Sequence, residues 1–353
     1  MRYCFDLDDT ICIHKNRDYP NAAPIDEVIA KMKELRRVDP ESHIIINTSR
    51  GMNSCKGDSR LAEERNRAVI EEWLFKHGVP YDEIVFGKPL ADAYIDDKAV
   101  PAHRFSSGCV REYKGFSGAS VIRVADMVIK GGEKTAFEYD WYSKDRALKF
   151  KRHKTPNVFT QTLGKLCLEY VSGTPLYDVV SSSVAGETYI ARVRDVLSEF
   201  SQCREGGEND VGAYCDFIRE RGDAVGVETS SIREKLLDDE NIVEKTFNHG
   251  DLTMQNIIVK GNELFLIDPS KSPISTWLLD ASKFRASLNG LDSVLTGRVS
   301  GTRRFIPFFD SLFDGYGGTI RVLEKTHYIR VMFYAKKLGK QDVFEQLKRM
   351  VEE

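Results

Sequence analysis

The hydrophobic pattern changes its period several times along the chain. Tyr3 to Leu7 is a short apolar strand candidate, and Ile25, Val28, Ile29, Met32 and Leu35 then recur at helical spacing with Lys, Glu and Arg between them. Ile44-Ile45-Ile46 is a β-branched run of the kind expected in a strand buried on both faces. After a polar loop, Leu61, Ala68, Val69, Trp73 and Leu74 outline the apolar face of a second helix, and Glu83 to Phe86 and Ala93 to Ile95 are two more short strands. Strands alternating with helices predict right-handed βαβ crossovers and a parallel α/β sheet. In such a sheet ligands bind beyond the carboxyl ends of the strands.

From about residue 109 the pattern changes. Val110 to Tyr113 and Ala119 to Val124 are strand-like and joined through Gly115-Phe116-Ser117-Gly118-Ala119-Ser120, and Asp126 to Lys130 follows as another strand. A helix from about Lys134 carries Phe137, Trp141 and Leu148 on its apolar side. Leu166 to Gly173 is an apolar strand ending in a polar bend, the shape of a hinge between two lobes. Tyr189, Ile190, Val193, Val196, Leu197 and Phe200 form one helical stripe that reads as core, Arg204 to Asp210 reads as a charged, Gly-rich connector, and aromatic helices fill the tail. The predicted organisation is a domain over 1–108 and a larger one over 109–353, the latter with one lobe at 109–173 and another at 174–353.

Composition narrows the function classes. The chain has 353 residues with 41% hydrophobic and 30% charged positions, an ordinary globular balance. Lys+Arg is 51 against Asp+Glu 54, a net charge of -3, so no basic excess advertises nucleic acid or an anionic membrane. No apolar run approaches the roughly 18 to 20 residues of a membrane span, and the start lacks a signal-peptide apolar stretch. The seven cysteines include no Cys-x-x-Cys pair and fit neither a disulfide framework nor a structural zinc site. The expectation is a soluble, cytoplasmic protein.

The predicted strand ends of the first domain share a chemistry. They carry Asp6-Leu7-Asp8-Asp9-Thr10, Thr48-Ser49-Arg50, Gly87-Lys88-Pro89 and Asp96-Asp97. Crowded carboxylates repel unless a cation sits among them, and oxygen-only ligands suit Mg²⁺. A lysine and a hydroxyl beside that cation could hold a phosphate, which a free carboxylate could attack. In order and spacing these segments resemble the four motifs of the haloacid-dehalogenase-like phosphatases. The resemblance implies Asp6 as nucleophile and Asp8 as general acid/base. It implies Thr48, with Ser49 beside it, and Lys88 as phosphate holders, and Mg²⁺ held by Asp6, the Asp8 backbone and an acidic residue of the Asp96-Asp97 pair. Only about 30 residues separate the first motif from the second strand, and the helix of residues 25–37 uses nearly half of them, which leaves little for a separate cap domain.

The second domain carries a different constellation. Glycines let backbone N–H groups approach phosphates, so the turn at Ser117 and Gly118 is a candidate nucleotide loop. It does not spell a Walker sequence, and none occurs in the chain. Lys130 could reach nucleotide phosphates with Glu138 orienting it. Backbone groups from Glu169 to Val171 could meet an adenine edge. Asn248-His249-Gly250-Asp251-Leu252-Thr253-Met254-Gln255-Asn256 leads into Ile257-Ile258-Val259, a Gly261-Asn262 turn and Leu264-Phe265-Leu266-Ile267-Asp268. The Gly-Asn pair predicts a tight hairpin that brings Asn256 and Asp268 together as Mg²⁺ ligands. Asp251 is then free to accept a proton from an incoming hydroxyl. The segment over roughly 110 to 290 resembles the aminoglycoside phosphotransferase and choline kinase families, relatives of the protein kinases. The resemblance implies a bilobal protein-kinase-like α+β fold, Asp251 as catalytic base, Asn256 and Asp268 as Mg²⁺ ligands and Lys130 as the ATP-phosphate lysine. Pro269-Ser270 replaces the Phe-Gly of protein kinases, which favours a small-molecule kinase.

Two opposed activities on one position would only hydrolyse ATP. A phosphate added at one position and removed at another fits the making of activated sugars. The reading is a bifunctional phosphatase and ATP-dependent kinase with one Mg²⁺ site in each domain. Its substrates would be a small phosphomonoester and a small alcohol or sugar of capsule or polysaccharide precursor synthesis. The alternatives are a choline- or ethanolamine-type kinase, a phosphatase with a non-catalytic nucleotide-binding module, and a nucleic-acid end-healing enzyme. The absent Walker sequence and balanced charge argue against the last of these.

Overall fold

The structure, a computed structural model, describes residues 2–89, 100, 102–107, 110–114, 120–162, 164–182 and 185–352. The strand expected at Ala93 to Ile95, Asp96, Asp97 and the turn at Ser117 and Gly118 lie outside the described residues. The chain divides into two compact units, Met1–Thr135 with Asn157–Tyr170, and Ala136–Pro156 with Val171–Glu353. No helix of the described residues is long and apolar enough to cross a membrane.

In the first unit, β1 (Arg2–Phe5), β2 (His43–Thr48) and β3 (Glu83–Phe86) form the expected parallel sheet in the order β1-β2-β3. The connections are α1 (Asp26–Val38) and α2 (Ser59–Lys76). Charge and pattern agree along α1. Asp26 and Glu27 stand in its first turn, Arg36 and Arg37 in its last, and Val28, Ile29, Met32 and Leu35 are buried. β2 departs from the expected two-sided burial, since Ile44, Ile46 and Thr48 are buried while Ile45 is only half-buried. The inner face of α2 is also rotated from the expected one. Ala62, Ile70, Trp73 and Leu74 are buried, whereas Ala68 is exposed and Leu61 and Val69 are half-buried. Trp73 fixes that rotation through an indole N–H bond of 2.8 Å to the Ala22 carbonyl.

After α3 (Ala102–Ser107) comes a five-stranded antiparallel sheet of β4 (Val110–Lys114), β5 (Ser120–Val124), β6 (Met127–Gly131), β7 (Val158–Thr162) and β8 (Lys165–Glu169). Its order is β4-β5-β6-β8-β7. The sequence boundary near residue 108 separates the two sheets but not their packing. Leu7, Ile46 and Trp73 of the parallel half share one apolar cluster with Ile122, Ile129 and Cys167 of the antiparallel half.

The second unit takes α4 (Lys134–Leu148) from Ala136 onward, then α5 (Leu176–Ser182), α6 (Gly186–Gln202), α7 (Val211–Val225) and α8 (Ser230–Leu237). A small sheet follows, in which β9 (Thr174–Pro175), β10 (Ile257–Lys260) and β11 (Glu263–Leu266) lie in that order. The remaining helices are α9 (Trp277–Leu288), α10 (Leu291–Thr296), α11 (Ile306–Leu312), α12 (Gly317–Lys337) and α13 (Gln341–Glu352). Ile190, Val193, Val196, Leu197 and Phe200 of α6 are buried as their spacing predicts, while Tyr189 of the same stripe is only half-buried. The expected connector after α6 is instead an exposed strand, Arg204–Glu208, paired antiparallel with Glu244–Thr246. Backbone pairing needs no apolar side chain, so composition does not reveal it. Among the tail aromatics, Phe284, Phe305, Phe309 and Tyr328 are core, and Trp277 and Phe308 are half-buried.

Candidate active sites

In the first unit the three parallel strands end on one constellation. Asp6 and Asp8 follow β1 with buried Leu7 between them. Lys88, after β3, places its Nζ 2.8 Å from Asp6 Oδ2, and the Leu7 N–H donates to Asp6 Oδ1 at 2.9 Å. Arg50, after β2, grips Asp8 with two nitrogens, Nη2 to Oδ1 at 2.5 Å and Nε to Oδ2 at 3.2 Å. A planar guanidinium meets a carboxylate this way with defined geometry. The same guanidinium lies 4.2 Å from the Tyr19 ring centre, and the Arg50 backbone N–H donates to Thr48 Oγ1 at 3.0 Å. Thr48 is wholly buried and Ser49 half-buried. The Asp8 turn is held by Ile11 N–H and Cys12 N–H bonds to the Leu7 carbonyl, with Asp9 in the left-handed region at φ 59. His14 approaches the cluster too, its Nε2 3.8 Å from Asp8 Oδ1.

In the second unit the loop before β10 is fixed from below. Gly250 sits at φ 80, and a Cβ there would lie 1.9 Å from the Ser270 carbonyl oxygen, so only glycine fits. Asp280 of α9 accepts from both the His249 N–H at 2.5 Å and the Gly250 N–H at 2.8 Å. His249 itself is fully buried, with the Trp141 ring edge-on at 5.1 Å. Asp251 then stands between two partners. Lys283 Nζ is 3.1 Å from its Oδ1, and Asn256 Nδ2 donates to its Oδ2 at 3.0 Å and to its carbonyl at 2.8 Å. Partial burial works against the Asp251 charge, but the Lys283 ammonium, its hydrogen bond and the charges of His249 and Arg330 outweigh it. The carboxyl is held below its ordinary value.

The hairpin performs as its sequence predicts. Ile257 pairs with Leu266, Gly261 takes φ 58 at the turn, and the Ile267 N–H donates to the Asn256 carbonyl at 3.0 Å. Asn256 and Asp268 therefore stand at adjoining hairpin ends. Asp268 is left-handed at φ 59, and its N–H donates to the Tyr142 hydroxyl at 3.2 Å. Such a conformation in a non-glycine residue costs on the order of 1 kcal/mol and concentrates at functional positions. Beneath the loop, Ser287 accepts from the Met254 N–H at 2.9 Å and donates to Asp292. Burial pushes the carboxyls up, Asp280 to about 7 and Asp292 to about 6.

The other expected residues are placed as follows. Lys130 is buried on β6, between Val121 and Leu166 in register, and belongs to the first unit. Glu138 is buried on α4, in the second. Glu169 ends β8 and accepts from the Asn157 side chain at 2.8 Å. Val171 packs on Ile258 and Phe265 of the hairpin.

Among the described residues no group of three or more His, Cys, Asp or Glu gathers as a metal cage. The Asn256 amide nitrogen is spent on Asp251, which leaves its oxygen, with the Asp268 carboxylate, as an oxygen-only pair suited to Mg²⁺ bound alongside nucleotide phosphates.

No family model matches the sequence, and neither does any curated protein. Among solved structures, a thermostable mutant of aminoglycoside phosphotransferase APH(4)-Ia is 14% identical, with a TM-score of 0.51, over 69% of this chain and 93% of that one. Over that stretch the chain has an aminoglycoside-phosphotransferase-like kinase fold. A glucosamine kinase is 14% identical over 68% of this chain and 76% of its own, with a TM-score of 0.46. A target protein from Vibrio cholerae is 37% identical over 30% of this chain and 87% of its own. Its TM-score is 0.29, and its name states no activity.

Sequence reasoning misses three side chains that matter here. Arg50 stands at a predicted strand end without a role. Asp280 and Lys283 are hidden inside an aromatic tail. The signal exists, because every residue from Leu278 to Leu288 is buried, and charges on a helix without a polar face need partners.

Proposed function

We propose that the chain is a bifunctional enzyme, a Mg²⁺-dependent phosphomonoesterase within 1–108 and an ATP-dependent kinase of a small alcohol or sugar within 109–353. The kinase half rests on one observation, the Asp251 carboxylate held by Lys283 and Asn256 beside the hairpin end that carries Asp268. Asp251 accepts the proton of the acceptor hydroxyl as that oxygen attacks the terminal phosphorus of ATP and ADP departs. Asn256 and Asp268 would hold Mg²⁺, which neutralises phosphate charge when bound. Lys130 would serve the nucleotide phosphates. The kinase-like fold supports this half.

The phosphatase half rests on the convergence of Asp6, Asp8, Arg50 and Lys88 at the ends of parallel strands. Asp6 attacks the phosphorus to give an aspartyl-phosphate, and the alcohol leaves with a proton from Asp8. Water, giving its proton to Asp8, then releases phosphate. Lys88 and Thr48, with Ser49, hold the phosphate, and Asp6, the Asp8 backbone and Asp96 or Asp97 would hold Mg²⁺. Kinase and phosphatase on one chain fit the assembly of a sugar phosphate in a capsule or polysaccharide precursor route, one position gaining phosphate and another losing it.

The test is a metabolite screen of the full chain with Mg²⁺. Phosphate release is measured from sugar phosphates, and ADP release from ATP with hexoses, amino sugars and amino alcohols. Both reactions are expected, each with its own preferred substrate. Absence of both across the panel rejects the proposal, and ATP use with choline or ethanolamine alone moves the acceptor class.

A further inference from the structure

Lys283 stands on α9, a helix whose residues from Leu278 onward are all buried, and its side chain is 10% exposed. A lysine removed from water in this way is costly unless paired. Around it are three acidic groups: Asp251, in contact at 3.1 Å, and Asp280 and Asp292, both of which feel its charge. Arg330 of α12 adds a second cation to the field at Asp251. Neutralising acids would need only proximity, yet the Lys283 ammonium contacts the Oδ1 of Asp251 while Asn256 occupies the Oδ2. Two donors on opposite oxygens fix both the position and the plane of a carboxylate, which one donor cannot do. The loop supplies no cation of its own, because Leu252, Thr253, Met254 and Gln255 are the residues between Asp251 and Asn256.

We propose that Lys283 is a positioning residue for Asp251, a cation delivered by α9 that holds the carboxylate plane against Asn256. The inference rests on the reading of Asp251 as the base of a kinase, and it adds that this base is set from a helix far along the chain. Lys283 acts through Asp251 and makes no claim on the nucleotide.

The test uses the full chain and three variants, Lys283→Met, Lys283→Arg and Asp251→Asn. Crystal structures of the wild type and the two lysine variants report the Asp251 side chain directly. In Lys283→Met the carboxylate is expected to rotate off Asn256 Nδ2, and in Lys283→Arg to stay. ADP release from Mg·ATP, with amino sugars and amino alcohols as acceptors, is expected to lose roughly 100-fold in kcat in Lys283→Met. The KM for ATP should be unchanged, and Lys283→Arg should recover most of the loss. An Asp251 that remains on Asn256 in Lys283→Met overturns the inference, as does an unchanged kcat. Equal losses in both lysine variants accompanied by equal falls in melting temperature also overturn it, since that pattern belongs to a structural pair. A wild type that releases no more ADP than Asp251→Asn removes the kinase reading instead, and the crystal structures still decide what Lys283 does.

Discussion

Asp280 joins α9 to the loop before β10 through two backbone N–H bonds, and both of its oxygens are used. An asparagine offers one acceptor oxygen and presents an N–H₂ to the other donor, which leaves a buried amide unpaired. Asp280→Asn is expected to lower stability by about 1–3 kcal/mol and to reduce ATP turnover more than phosphate release, checked by denaturant melts and both assays on one preparation. Gly250 makes a sharper case. Its left-handed φ and the 1.9 Å approach to the Ser270 carbonyl leave no room for a methyl group. Gly250→Ala should therefore displace the loop, with a lowered melting temperature and ADP release lost. A stable, active Gly250→Ala would show that the turn tolerates what its geometry forbids.

At the scale of elements, α9 and α10 act as a polar floor under the Asp251 loop. Asp292 of α10 lies at 2% exposure, bonded to Ser287, and its carboxyl is raised from 3.8 to about 6, chiefly by burial. A carboxyl whose folded value lies above its unfolded one stabilises the fold when protonated. That contribution is complete below pH about 4 and fades as pH rises through 6, at about 1.4 kcal/mol for each tenfold gain in proton affinity on folding. From this group the melting temperature is expected to decline between about pH 4 and pH 6, and Asp292→Asn should flatten that part of the decline. A variant with the wild-type slope would assign the pH dependence elsewhere. Much of this level was legible in the sequence. The alternating strand and helix pattern, the Gly261-Asn262 hairpin and the meeting of Asn256 with the end of β11 all follow from local turn chemistry and period. What was not legible depends on partners distant in sequence. The rotation of α2 is set by Trp73 reaching the Ala22 carbonyl, and the strand at Arg204–Glu208 is set by pairing with Glu244–Thr246. Arg50 shows the same limit at one residue, since only the fold brings it onto Asp8.

For the whole molecule, the sequence divides at about residue 108 while the packing puts the parallel sheet and the five-stranded sheet on one apolar core. The two proposed chemistries nevertheless draw on separate residues. Asp6 with Lys88 belongs to one cluster, and Asp251 with Lys283 to the other. We propose that these are two independent catalytic groups on one chain. The most direct measurement is a crossed pair of variants, Asp6→Asn and Asp251→Asn, each assayed for phosphate release and for ATP-dependent phosphorylation under the same conditions. Asp6→Asn should lose phosphate release by at least roughly 1000-fold and keep ATP turnover, and Asp251→Asn should do the reverse. Loss of both activities in either well-folded variant would contradict the account.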